Sequence, residues 1–167
     1  MKTSFLMQTM LIILLLTGTL YSQETQNHRK FGLSASLQTD QMDIAVPIWI
    51  GDKTILAPAL SILHVEDAGT DLGIGIVPKF YLRMNKVSPY VVLRAGTLFF
   101  LPKHGDNTFD WVAGAGFGAD YFFDERFSIG VEAQLNMTIS DKKSDRFGNP
   151  GGMNYNTATA IVASIYF

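Results

Sequence analysis

The sequence predicts an all-β fold, an eight-stranded antiparallel up-and-down transmembrane β-barrel preceded by a signal peptide, and three observations carry that prediction. From residue 31 onward the apolar residues alternate with period two, and the alternation breaks at turn-forming clusters. One face of the resulting strands is rich in glycine and holds the charges, while the other is almost unbroken Ile, Leu, Val, Ala and Phe. No helix of spanning length is apparent past residue 30. The apolar run 54–65 has twelve residues without Asp, Glu, Lys or Arg, short of the ~20 that a spanning helix needs.

Composition sets outer bounds on function. The chain has 167 residues, 47% hydrophobic and 17% charged, too apolar for a disordered segment and of a length suited to one domain. Thirteen Lys+Arg against 15 Asp+Glu give a formal charge of -2, without the basic footprint that nucleic-acid binding requires. With no cysteine, the chain has no disulfide framework, thiolate metal site or cysteine nucleophile.

The first 22 residues read as a signal peptide: Lys2 is a short positive region, Met10 to Leu16 an apolar run, and small or polar residues lead to Ser22. Cleavage after Ser22 leaves 12 basic and 15 acidic residues, net -3, over 145 residues. Leu20 is larger than the residue preferred three places before a cut. Residues 3–23, which carry no charge, are long enough to span a bilayer if retained. Residues 23–30 form a polar N-terminal spacer, and 31–167 the barrel domain.

Each strand is placed by its alternation. The first, 31–39, sets Phe31, Leu33, Ala35 and Leu37 against Gly32, Ser34, Ser36 and Gln38. The second, 42–50, opposes Ile44, Val46, Ile48 and Ile50 to Asp43, Ala45, Pro47 and Trp49, and Gly51-Asp52 is its hairpin turn. The third, 53–65, is apolar on both faces, so its register stays open. The fourth, 71–84, opposes Ile74, Ile76 and Phe80 to Gly73, Gly75, Lys79, Tyr81 and Arg83. The fifth, 88–101, opposes Val91, Leu93 and Ala95 to Tyr90, Val92, Arg94 and Gly96. The sixth, 109–123, opposes Trp111, Ala115 and Phe117 to Gly114, Gly116, Gly118 and Asp120. The seventh, 126–139, sets Ile129, Val131 and Leu135 against Gly130, Glu132, Gln134 and Asn136. The eighth, 154–167, sets Tyr155, Ile161, Ala163, Ile165 and Phe167 against Ala160, Val162, Ser164 and Tyr166. An even strand count, with several strands longer than the 9–11 or so residues that cross a bilayer at a tilt, suits a closed membrane barrel. Connections after the second, fourth and sixth strands are short, and those after the third, fifth and seventh are longer, ending in 140–153. The first loop, Asp40-Gln41, is an exception.

Side-chain size decides which face is inside. A narrow barrel needs small residues in its crowded interior, which the glycine face supplies, and an exterior of Ile, Leu and Phe suits hydrocarbon and not water. Interior charges need partners, because a lone buried ion costs several kcal/mol. Lys79, Arg94 and Glu132 are expected to meet near mid-height, with Asp120, Arg83 and Arg126 lower, in a network that plugs the lumen. Tyr81 and Tyr90 are expected to fill space over the glycines of the sixth strand. A proton or ion relay through these residues is the functional alternative. Trp49, Phe80, Tyr121, Phe123, Phe127 and Phe167 fall near the short-turn rim, and Phe99, Trp111 and Tyr155 near the other, as two interfacial girdles would.

The eight alternating strands, the signal and the closing Thr159, Ile161, Ala163, Ile165, Phe167 resemble the outer-membrane β-barrel family, in particular the small eight-stranded OmpA/OmpX-like barrels. The segment Gly116 to Glu132 (GFGADYFFDERFSIGVE) resembles that family's hairpin of a glycine-rich strand, an aromatic pair, an acidic turn and an inward glutamate. The resemblance implies an integral outer-membrane protein whose terminal Phe167, with Ile165, Ala163 and Ile161, is read by the barrel-assembly machinery. A monomer in outer-membrane lipid is expected, and the loop cations Lys142, Lys143 and Arg146 are the groups that would touch lipopolysaccharide phosphates. The chain departs from longer relatives in having no periplasmic domain after the barrel and in its short first loop, so peptidoglycan binding and large adhesive loops are not expected.

Catalytic patterns are weak. A lipid-modifying enzyme, an acyl hydrolase or transferase, would need a serine, a base and an acid. His28 lies in the spacer. His64 and Glu66 lie near Ser61, but Ser61 and His64 fall on opposite strand faces, which is wrong for a hydrogen bond between them. Three scattered histidines make no metal spacing. The series Gly114, Gly116, Gly118 is an interior stripe and not a dinucleotide fingerprint, since no helix follows it. Asp141, Asp145 and Asn149 lack calcium-loop spacing and are diluted by cations. The expectation is a protein without catalytic residues, cofactor or metal, in a structural or surface-interaction role. Lys142, Lys143 and Arg146 in one loop, with Lys103 and His104 in another, are its candidate contact residues. A narrow pore and a lipid-modifying enzyme remain the alternatives.

Overall fold

A computed structural model describes residues 30–38, 42–66 and 69–167, and at 64 and 65 the backbone alone. The signal peptide, nearly all of the spacer with His28, and the first loop at 40–41 lie outside the described residues. Among those described there are nine strands and no helix. They are β1 (Gly32–Leu37), β2 (Met42–Ala45), β3 (Ile48–Gly51), β4 (Thr54–Val65), β5 (Gly69–Tyr81), β6 (Val87–Pro102), β7 (Thr108–Phe122), β8 (Phe127–Ile139) and β9 (Met153–Tyr166).

The sheet runs β2-β1-β9-β8-β7-β6-β5-β4-β3, and β2 pairs with β4 as well, which closes it into a barrel. Every pairing is antiparallel. β2 and β3 are two halves of one stave, so the barrel has eight staves. The expected second strand breaks at Val46 and Pro47 because proline has no N–H to give to the ladder. The stave still holds together across the break. Gly32 N donates to Pro47 O at 2.8 Å and Val46 N to Pro58 O at 2.9 Å.

Most strand ends fall within one or two residues of expectation, and the strand expected at 71–84 shifts most. β5 begins at Gly69 and ends at Tyr81, so Leu82, Arg83 and Met84 belong to a turn, 82–86. Here Ser88 Oγ donates to Asn85 O at 2.6 Å and accepts from Asn85 N at 3.0 Å. This local turn replaces the continued alternation. One rim therefore carries the turns 52–53, 82–86 and 123–126, and the other carries the connection from β4 to β5, then 103–107 and 140–152. Only the last is long. It is tightened by Gly148 and Gly151, whose φ angles of 67° and 70° lie in the left-handed region that other residues avoid.

The apolar face looks outward. Ile74, Leu93, Phe117, Val131 and Ile161 are 45–69% exposed, whereas Tyr90, Val92, Glu132 and Ala160 are at most 1% exposed. Two outward aromatic groups sit at the strand ends. Phe109 lies 4.9 Å from Phe99 and 5.0 Å from Trp111 at one rim, and at the other Tyr121 meets Phe123 edge to face at 5.0 Å while Phe123 stacks on Phe127 at 5.3 Å. Trp49, expected in the girdle, points inward instead and stacks on Tyr81 at 5.5 Å. Its parity, shared with Asp43 and Ala45, outweighs its position near the rim.

Candidate functional site

The lumen is built from the inward residues of all eight staves, and its lower part, toward the short-turn rim, is filled by rings. Ile55, Tyr81, Tyr90, Val92, Phe122 and Tyr166 are buried together, with Trp49 and Val77 against them. Tyr81 and Tyr90 meet edge to face at 5.6 Å. Tyr90 lies over Gly118, where an added Cβ would come within 2.7 Å of its ring. A glycine stands there because the ring crosses directly above the backbone.

The charges form two clusters, one among these rings and one above them. Asp120 accepts from Lys79 Nζ at 3.1 Å and from the Tyr81 hydroxyl. Glu132 accepts from Arg94 Nη2 at 2.6 Å, Tyr90 Oη at 3.0 Å and Gln134 Nε2 at 2.8 Å. Arg94 Nη1 also lies 3.7 Å from Asp43. Lys79 Nζ sits 3.9 Å from the centre of the Tyr90 ring, which links the clusters by a cation–π contact. Several donors converge on each buried carboxylate, as buried charge demands.

The structure thus brings Lys79, Arg94, Glu132 and Asp120 into the lumen, but Lys79 takes Asp120 while Arg94 takes Glu132. Arg83 does not join them. It is exposed in the turn 82–86, because β5 ends two residues before it, and Arg126 is likewise exposed in its turn. Asp43 was missed as a partner, although its parity on the second strand already placed it on the inward face. Ser61 lies in the lumen against Gly73, while the His64 side chain lies outside the described residues. Among the described residues no group of three or more His, Cys, Asp or Glu could hold a metal ion.

The long-loop rim is organised by carboxylates that sequence reasoning overlooked. Asp110, 1% exposed at the top of β7, accepts from Asp141 N at 2.8 Å and Ser144 Oγ at 2.9 Å, and so pins the base of loop 140–152. Lys143 donates to Asp106 at 2.7 Å, joining this loop to 103–107. That bond holds the Asp106 carboxyl below its usual pKa and the Lys143 ammonium above its own. Arg146 pairs with Asp71 on β5. Of the expected contact residues, Lys103, His104 and Lys142 are exposed, whereas Arg146 turns back toward the barrel. At the other end Phe167 follows β9 and rests on Phe31 at 5.6 Å, with Ile161, Ala163 and Ile165 on the same outward face.

A closed eight-staved antiparallel barrel, apolar outside and ion-paired within, is the fold of the small outer-membrane barrels of OmpA/OmpX type. Among solved structures it is similar to the N-terminal β-barrel domain of Pseudomonas aeruginosa OprF, at 14% identity and a TM-score of 0.58, over 82% of this chain and 95% of that one. It is also similar to Neisserial surface protein A (NspA), at 12% identity and a TM-score of 0.57, over 82% of this chain and 93% of that one. At these identities the likeness is one of fold. No protein-family model and no curated protein matches the sequence.

Proposed function

We propose that the protein is an integral outer-membrane β-barrel, exported through the signal peptide 1–22, monomeric and non-enzymatic, with a structural or surface-interaction role. The observation that carries this reading is the inversion of the sheet: exposed Ile, Leu, Val and Phe outside, paired Lys79, Arg94, Asp120 and Glu132 inside. Closure satisfies the ladder hydrogen bonds in a medium without water. Phe167, Ile165, Ala163 and Ile161 form the outward, aromatic-ended strand that the assembly machinery engages. Lys142, Lys103 and His104 stand at the rim where lipopolysaccharide phosphates lie. The filled lower lumen supports a plugged barrel without steady conductance in planar bilayers.

The test is location together with heat-modifiable mobility. The chain is expected in purified outer membranes, migrating differently in boiled and unboiled samples. Recovery as a water-soluble secreted protein sinks the reading. As a second arm, Val131→Arg is expected to destabilise the folded barrel by ~2–4 kcal/mol if that face meets hydrocarbon. On a water-facing surface the same change is close to neutral.

A further inference from the structure

Above the ionic layer the lumen is no longer filled. The staves there contribute Gly73, Gly75, Gly96 and Ser61, and the rings of the lower half have no counterpart. A cavity of about 170 Å³ lies between a floor at Arg94 and Gln134 and a roof at Phe147. At about 30 Å³ per liquid water, that is room for five or six waters or one small solute.

The wall of this cavity is mixed, with Val77, Leu98 and Val112 set among polar side chains. Ser61, Gln134, Asn136, Thr138 and Asn156 line it. β8 carries a ladder of amides up from the floor: Gln134 donates to Glu132 at 2.8 Å, and Asn136 Nδ2 to Gln134 Oε1 at 3.4 Å. Two buried polar atoms of the wall, Asn136 Oδ1 and Arg94 Nε, have no hydrogen-bond partner among the described residues. One is an acceptor and the other a donor, and leaving such atoms unsatisfied costs ~1–3 kcal/mol each. The floor also selects by charge. An anion approaching Arg94 meets Glu132 and Asp43 around a single guanidinium, and a cation meets Arg94 itself. A neutral hydroxyl, which both donates and accepts, escapes both penalties.

The roof belongs to loop 140–152. Phe147 lines the cavity mouth, and Arg146 beside it pairs with Asp71 on β5. The chain reverses at Gly148, whose N donates to Asp145 O at 3.0 Å. Asp110 and the Lys143–Asp106 pair hold the base of the loop.

We propose that the upper lumen is a binding site for a small neutral polyol and that residues 140–152 are its lid, latched by Arg146 on Asp71. The inference goes beyond the proposed function and rests on the lumen alone, whichever membrane holds the barrel. A chain without cysteine permits a direct test. Ser61→Cys places one thiol in the cavity wall, and His104→Cys places one on the exposed rim as a control. Each folded variant in detergent micelles is treated with methyl methanethiosulfonate, and modification is followed by intact mass, with glycerol and glucose as the protecting probes. The Ser61→Cys thiol is expected to react slowly, at least tenfold faster when Arg146→Gln is added, and more slowly again, with saturation, as either probe is raised. The control thiol should respond to neither change. The proposal fails if Ser61→Cys reacts as fast as the control with the latch intact, if Arg146→Gln leaves its rate unchanged, or if neither probe protects it. Should Ser61→Cys not fold, Thr138→Cys on the opposite wall serves the same test.

Discussion

The lower and upper halves of the lumen are made from the same alternating strands, yet the lower is packed with rings around a cavity of only about 50 Å³, while the upper leaves one of about 170 Å³. Below, Tyr81, Tyr90, Phe122 and Tyr166 cover the barrel floor, with the Lys79–Asp120 pair among them and the Arg94–Glu132 pair above. Above, glycines and short polar residues leave a cavity over which Phe147 of loop 140–152 stands. Alternation alone therefore settles which side chains point inward, and their size settles whether the space they enclose is solid. The difference predicts two kinds of energetic response, large and global below, small and local above.

The largest effect is expected from Glu132→Ala. It strips Arg94 of its buried partner and removes the acceptor for Tyr90 and Gln134, at a cost of ~3–5 kcal/mol. Urea unfolding of the barrel refolded in lipid vesicles reads the loss. Asn136→Ala in the upper half should shift the same midpoint by less than about 1 kcal/mol, since its own bonds are long or unmade. Equal losses at the two positions would erase the contrast between the halves.

Next in size is the pair of glycine substitutions. A methyl group at Gly118 runs into the Val131 carbonyl and the Tyr90 ring, so Gly118→Ala is expected to cost ~1–3 kcal/mol. At Gly73 the same methyl meets only the side chains of Ser61 and Leu98, which have the cavity to move into. Gly73→Ala should therefore be the milder change by the same unfolding assay.

A local effect follows at the roof. Asp110→Ala removes the acceptor that pins Asp141 and Ser144, hydrogen bonds to a charged group worth ~1.5–3 kcal/mol. Trypsin cleavage after Lys142 or Lys143 in the folded protein should then speed up by roughly tenfold or more as the loop opens. Unchanged proteolysis would mean that the loop is held by something other than Asp110.

The smallest effect is the pH response of the exposed Asp106–Lys143 pair. Because Asp106 is held below its usual value, the pair's contribution is present at neutral pH and is lost only as pH falls through that lowered value. Because Lys143 is held above its usual value, the contribution persists in mild alkali and is lost as pH rises past the raised value. Added salt weakens it throughout. The same cleavage assay, run with a protease active in acid, should show a modest acceleration at low pH that Asp106→Asn already displays at pH 7.

By itself the sequence determined the class of structure. A pleated strand turns alternate residues to opposite faces, so period two, glycine on one face and aliphatics on the other specify an eight-staved barrel with an apolar exterior. The same rule placed Lys79, Arg94, Asp120 and Glu132 inside, and read consistently it also includes Asp43, Asp71, Asp110 and Trp49. Parity names a face and never a partner. Which carboxylate meets which cation depends on how far each stave slides past the next when the sheet closes, so only the tertiary structure could give Lys79 to Asp120, bring Asp43 across the lumen to Arg94, and turn Arg146 back onto Asp71. Strand ends were decided there too. The alternation continues through Arg83, but the turn between Asn85 and Ser88 takes the chain out of the ladder first, and the missing N–H of Pro47 splits a stave that the pattern draws as continuous.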